Sequence, residues 1–174
     1  MIENNINLDE IKENSNDKNY MLNIVKNKGK LLQYASSNLQ DDKELVLEAI
    51  NQDGEALEFA SNNLKNDKEI VMLANKKSPW TICYASDFLK SDKDIFFNII
   101  DEYGQALYFA SKSLRDDDEL VTRAVKNKGI IIKYASYRLR NNLEIAKIAI
   151  KQDKRALNFV TAELREKIKK EEEE

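Results

Sequence analysis

Apolar and polar positions along this chain repeat with a period of 25 residues. An aromatic, a small apolar residue and a hydroxyl recur at Tyr34-Ala35-Ser36, Phe59-Ala60-Ser61, Tyr84-Ala85-Ser86, Phe109-Ala110-Ser111, Tyr134-Ala135-Ser136 and Phe159-Val160-Thr161. Five residues after each aromatic stands a leucine: Leu39, Leu64, Leu89, Leu114, Leu139 and Leu164. Glycines keep the same step at Gly29, Gly54, Gly104 and Gly129, and Pro79 and Lys154 fill the two remaining places. Self-similarity of this kind marks stacked supersecondary units that cannot bury their apolar faces alone. The expected architecture is an all-α solenoid of six helix-turn-helix units starting near residues 17, 42, 67, 92, 117 and 142. They fill 17–166, between an N-terminal arm or partial cap over 1–16 and an end segment over 167–174.

Each unit reads as two short helices. Capping boxes open the first at Asp41 with Glu44, Asn66 with Glu69, Ser91 with Asp94, Asp116 with Glu119 and Asn141 with Glu144; the short polar residue accepts an early N–H and the acid reaches back. An apolar stripe follows, such as Leu45, Val46, Ala49 and Ile50. Glycine is expected to end this helix in the left-handed conformation, and Ser78-Pro79 to act as cap and first residue of the next. In the second helix Leu57, Ala60, Ser61 and Leu64 share one face of a single α-helix, with the hydroxyl bonding the carbonyl four residues back. At the chain ends, Ile6, Leu8 and Ile11 are candidates for the partial cap. Leu157, Val160, Leu164 and Ile168 predict a longer last helix ending in the acidic Glu171–Glu174 tail.

The pattern of an acid-led apolar helix, glycine, leucine, aromatic-Ala-Ser and leucine resembles the tandem repeat known as domain of unknown function 4116. One unit of that family is about 49 residues long, so it would span two copies here, and the resemblance covers roughly Asp17 to Glu166. It implies a helical repeat fold and no particular activity.

Composition narrows function mainly by what is missing. The chain of 174 residues has no histidine, one cysteine (Cys83) and a formal net charge of −3. Without histidine the commonest general base and neutral metal ligand are gone. A lone cysteine forms no internal disulfide and gives no sign of an oxidising compartment. No apolar run approaches the length of a membrane span, and Met1 to Glu10 is too polar for a signal peptide. The expectation is a soluble cytoplasmic protein without cofactor or metal, although leaderless secretion would leave the same traces. The hydroxyls Ser36 to Thr161 repeat, as scaffold residues do, and nothing stands beside them to activate a nucleophile. The chain is therefore read as a non-enzymatic scaffold for a protein or peptide partner.

Two columns could carry binding. Positions that depart from the repeat hold Trp80, Phe88 and Tyr108; the repeat aromatic Tyr84 lies between Trp80 and Phe88 on one helix face and completes the candidate patch, and Tyr137 extends it. Exposed aromatics of this kind anchor protein interfaces; local repacking around Pro79 is the structural reading of the same residues. A cationic column, Lys65, Lys90, Arg115, Arg140 and Arg165, with Gln40 at its head, would suit RNA phosphates. Its structural reading is complementation of helix C-termini. The overall acidity favours the second, so RNA binding is the alternative function.

Overall fold

The computed structural model describes residues 7–173. Helices and turns make up the described chain, with no strand among them. It divides into two compact units, Met1–Ser86 and Asp87–Glu174. The same repeat builds both, and six copies can be followed (repeats 1 to 6, from 17, 42, 67, 92, 117 and 142).

Every repeat opens with a capped helix: Lys18–Val25, Lys43–Gln52, Lys68–Lys77, Lys93–Ile99, Asp118–Asn127 and Leu143–Gln152. The caps are Asp17, Asp42, Asp67, Asp92, Asp117 and Asn142, each accepting one or two N–H groups of the first turn. The cap thus lies one residue later than the expected capping boxes. Glu44 and Glu69 do not reach back but pair with Lys18 (2.8 Å) and Lys43 (3.5 Å) of the preceding repeat. The stripe behind each cap is the core. Leu45, Val46, Ala49 and Ile50 are fully buried in unit 1, as are Leu120, Val121, Ala124 and Val125 in unit 2. Each such leucine contributes roughly 1.5–3 kcal/mol by leaving water.

The second element differs from the expected α-helix. A 3-10 helix comes first, at Gly29–Tyr34, Gly54–Phe59, Pro79–Tyr84, Gly104–Tyr108, Gly129–Tyr134 and Lys154–Asn158. The chain then extends; Ala35, Ala60, Ala85 and Ala135 have ψ between 149° and 159°. A second short turn carries the core leucine, and in repeat 6 it becomes the helix Ala162–Glu173. An α-helical N–H is committed to the carbonyl four residues back. The extended link releases the hydroxyl residue's N–H, which crosses to the repeat before it: Ser61 to Gln40 O (2.9 Å) and Ser86 to Lys65 O (3.0 Å) in unit 1, Ser111 to Lys90 O (2.9 Å) and Ser136 to Arg115 O (2.8 Å) in unit 2. The aromatic-Ala-Ser motif is therefore a rung between repeats.

The hydroxyls complete the rung instead of bonding the carbonyl four residues back, except at Ser111, which pairs with Ser113 Oγ at 2.8 Å. Ser86 Oγ donates to Asn66 Oδ1 (2.6 Å), and Ser61 and Ser136 donate to Asp41 and Asp116. Ser61 and Ser136 also accept from the leucine N–H three residues on, at 3.2 Å. The residues expected as caps, Asp41, Asn66, Asp116 and Asn141, serve instead as these acceptors.

No glycine has positive φ, so none closes a helix in the left-handed conformation. Each stands at the start of its 3-10 helix, where a Cβ would come 2.3 Å from Ala49 O at Gly29 and 2.8 Å from Ala74 O at Gly54. In unit 2 the corresponding distances are 2.9 Å to Ala124 O at Gly104 and 2.1 Å to Ala149 O at Gly129. The obstacle is always the capped helix of the next repeat in the same unit. Pro79 and Lys154 stand in the last repeat of each unit, and Pro79 is the first residue of its 3-10 helix, as expected.

At the start of unit 1, Leu8–Glu13 is helical with Ile11 buried, while Leu8 is 43 % exposed; Ile6 lies outside the described residues. Ser36 finds its rung partners in this segment, Ser15 O (2.8 Å) and Asn16 Oδ1 (2.9 Å), so it stands in for a preceding repeat. The last helix is long, as expected, and buries Leu164 and Ile168. Its stripe does not continue from Leu157, because the chain turns at Phe159–Thr161.

Candidate functional site

Trp80, Tyr84 and Phe88 do not share one helical face. The extended link at Ala85 (ψ 155°) separates Phe88 from the 3-10 helix that carries Trp80 and Tyr84. In unit 1, the Trp80 indole N–H donates to Glu55 Oε1 (3.2 Å), and the Tyr84 hydroxyl donates to Glu58 Oε2 (3.0 Å). The two rings meet edge to face at 5.3 Å. Burial, and then the Glu58 carboxylate, push the Tyr84 hydroxyl well above the usual phenol range. Glu55 also holds the Lys30 ammonium, which keeps its carboxyl below the ordinary range. Trp80 and Tyr84 thus belong to a cross-repeat polar ladder. In unit 2, Phe88 is 75 % exposed, Tyr137 65 % and Tyr108 56 %. Tyr108 packs against Phe109 (5.0 Å) and Tyr134 (4.9 Å).

Three members of the cationic column, Gln40, Arg140 and Arg165, turn onto backbone carbonyls. Gln40 donates to Leu32 O (3.4 Å); Arg165 donates to Leu157 O (3.0 Å) and Asn158 O (2.8 Å). Arg140 reaches Phe159 O (3.5 Å), while the Nε atoms of Arg115 and Arg140 are buried without a hydrogen-bond partner. Burial lowers the Lys65 ammonium, and Lys90 stands 4.0 Å from Asp87. These carbonyls lie at the ends of 3-10 helices, where backbone acceptors lack partners and a cation is favourable.

Unit 2 holds a feature the sequence reading passed over. Between repeats 4 and 5 a cavity of about 270 Å³ is lined by the rings of Tyr103, Tyr108, Phe109 and Tyr134, by Lys128 and Lys133, and by Ile130 and Ile131. Lys133 stands 4.7 Å over the Tyr134 ring and 5.9 Å from that of Phe159, a cation–π arrangement. A second, open hollow in unit 1, lined by Asp41, Ser61 and asparagines, surrounds the hydroxyl rung described above. Among the described residues no cluster of acids and cysteine is arranged to hold a metal ion, and no helix is long and apolar enough to cross a membrane.

Capped helices, 3-10 helices and rungs at one fixed period define an all-α tandem helical-repeat protein with a solenoid-like fold. The chain belongs to the family described as Domain of unknown function (DUF4116), which matches residues 17–65, 42–90, 67–115, 92–137 and 117–165. Successive matches start 25 residues apart, so each covers about two repeats and overlaps the next by one. Neither a curated protein nor a solved structure matches the chain.

Proposed function

We propose that the chain is a non-enzymatic, cytoplasmic scaffold for protein–protein interaction. The observation that supports this is the exposure of Phe88, Tyr108 and Tyr137 in unit 2. Other repeats hold Asn63 and Ser113 in the place of Phe88, Gln33 and Lys133 in that of Tyr108, and Asn62 and Lys112 in that of Tyr137. Phe88, Tyr137 and the open face of Tyr108 leave large ring surface in water where most repeats hold smaller or polar residues, and such rings are the usual anchors of interfaces.

Affinity capture from native lysate, run in parallel on wild type, Phe88→Ala and Tyr108→Ala, tests the reading. A specific protein that is retained by wild type and lost from at least one variant, with unchanged far-UV circular dichroism, is the expected result. Capture of the same proteins by all three overturns it. Co-purifying RNA that salt releases, and that is lost when Lys90, Arg115 and Arg140 become glutamate, would move the function to nucleic acid.

A further inference from the structure

Unit 1 supplies its own acids along two rows of surface positions that unit 2 leaves without any. One row reads Lys30, Glu55, Trp80, and its central carboxylate takes both the ammonium and the indole N–H. Beside it, Glu58 takes the Tyr84 hydroxyl. The same rows in unit 2 read Gln105, Ile130, Arg155 and Tyr108, Lys133, Asn158, with no carboxylate in either. It is there that the aromatic-lined cavity opens, with Lys128 and Lys133 and no acid lining it. Lys128 also acts electrostatically on Asp153, but that carboxylate is bound by the Arg155 guanidinium at 2.8 Å.

Resting on the scaffold reading, we infer that this cavity receives one aromatic side chain of an acidic protein segment, with a flanking carboxylate meeting Lys133 as Glu55 meets Lys30 in unit 1. Its volume lies just below the roughly 300–1,000 Å³ of cofactor and drug-sized sites, which suits a single side chain. Aromatic walls favour a ring held edge to face. Two lysines in a chain of net charge −3 select an acidic segment and speed its encounter. A single-stranded nucleic acid would share the ring chemistry but needs cations that follow its backbone, and the Arg140 and Arg165 guanidiniums are turned onto carbonyls.

The probe is a short fluorescent peptide alternating glutamate with phenylalanine, compared with glutamate–alanine and lysine–phenylalanine peptides of equal length and with an oligouridylate. Saturable binding of the first alone is expected, weakened about tenfold or more by Tyr108→Ala and by Lys133→Glu and less by Lys133→Gln. Amide shifts in NMR spectra should centre on Tyr108, Ile130 and Lys133. The inference is overturned by equal binding of the lysine–phenylalanine peptide, by indifference to all three substitutions in variants with intact spectra, by shifts centred on Phe88 or Tyr137, or by binding of the oligouridylate alone. A lysate partner lost on Phe88→Ala but kept by Tyr108→Ala and Lys133→Glu leaves the scaffold standing and removes the pocket from it.

Discussion

Gly129→Ala separates two roles a recurring glycine can have. At ordinary φ, alanine lowers the entropy of the unfolded chain and stabilises by roughly 0.4–1 kcal/mol. At Gly129 the added methyl would stand 2.1 Å from Ala149 O and 3.0 Å from Gln152 Oε1, which accepts the Gly129 N–H at 2.5 Å. Relief requires repeat 6 to retreat from repeat 5, at an overpacking cost of about 1–3 kcal/mol. Weakening the glutamine bond adds about 0.5–1.5 kcal/mol. The net expectation is a loss of about 2 kcal/mol, read as a urea midpoint lowered by about 1 M in far-UV circular dichroism. Gly104→Ala should cost less, since its obstacles, Asn127 Oδ1 at 2.8 Å and Ala124 O at 2.9 Å, stand farther off. Lys154→Gly, in the last repeat of unit 2, should lose only the backbone entropy, roughly 0.5–1 kcal/mol. A Gly129→Ala protein as stable as wild type, or more so, would refute the close-approach account.

Three further outcomes follow from the same contacts. Thr81→Ala alone should destabilise by about 1 kcal/mol, because it strips buried Asn75 of the hydroxyl that donates to its Oδ1 at 2.9 Å. Combining it with Asn75→Ile, the residue pair of repeats 2 and 4, should raise the thermal midpoint above wild type, since Asn75 Nδ2 is buried without a partner. Ser61→Ala should cost about 1 kcal/mol in urea melts, because it removes both a donor to Asp41 and an acceptor for the Leu64 N–H. Lys18 and the Leu45 N–H hold the Asp42 carboxyl below the usual range, and Lys43 does the same for Asp67, against its burial. The unfolded chain therefore binds protons first as pH falls, so this stability is present above the ordinary aspartate pKa of about 3.9 and lost as pH drops through the lower folded values. Urea midpoints measured across that window should fall less steeply in the Asp42→Asn, Asp67→Asn double variant, which keeps both caps.

The period, the core stripes and the unit starts were legible because they are local: Asp17, Asp42, Asp67, Asp92, Asp117 and Asn142 all stand where the repeats were placed. The capping boxes slipped by one residue because two polar residues adjoin, and Asp41 has an acid three places on as a true cap would. The break after Phe59 was hidden by a spacing that fits an α-helix equally well. What decides it is the Ser61 N–H bonding Gln40 O, a contact with another repeat that no local periodicity records. The glycines were misread for the same reason, since their obstacle lies 20 residues away at Ala49, Ala74, Ala124 or Ala149. The single helix face expected for Trp80, Tyr84 and Phe88 went with the continuous helix it assumed. The cavity could have been sought in the rows where Glu55 and Glu58 have no counterpart at Ile130 and Lys133.

The rungs also set the order in which the protein can be built. Bonds between repeats join residues only 19 to 26 apart. A ribosome adding roughly 5–20 residues per second takes on the order of 1–5 s to release one period, whereas a helix relaxes within about a microsecond. Within each unit, a repeat leaving the exit tunnel finds the acceptors for its rung, a carbonyl and a side-chain oxygen, on the repeat made just before it. Among the described residues no strand or distant segment has to be held in reserve, so each repeat's apolar face waits only for its neighbour.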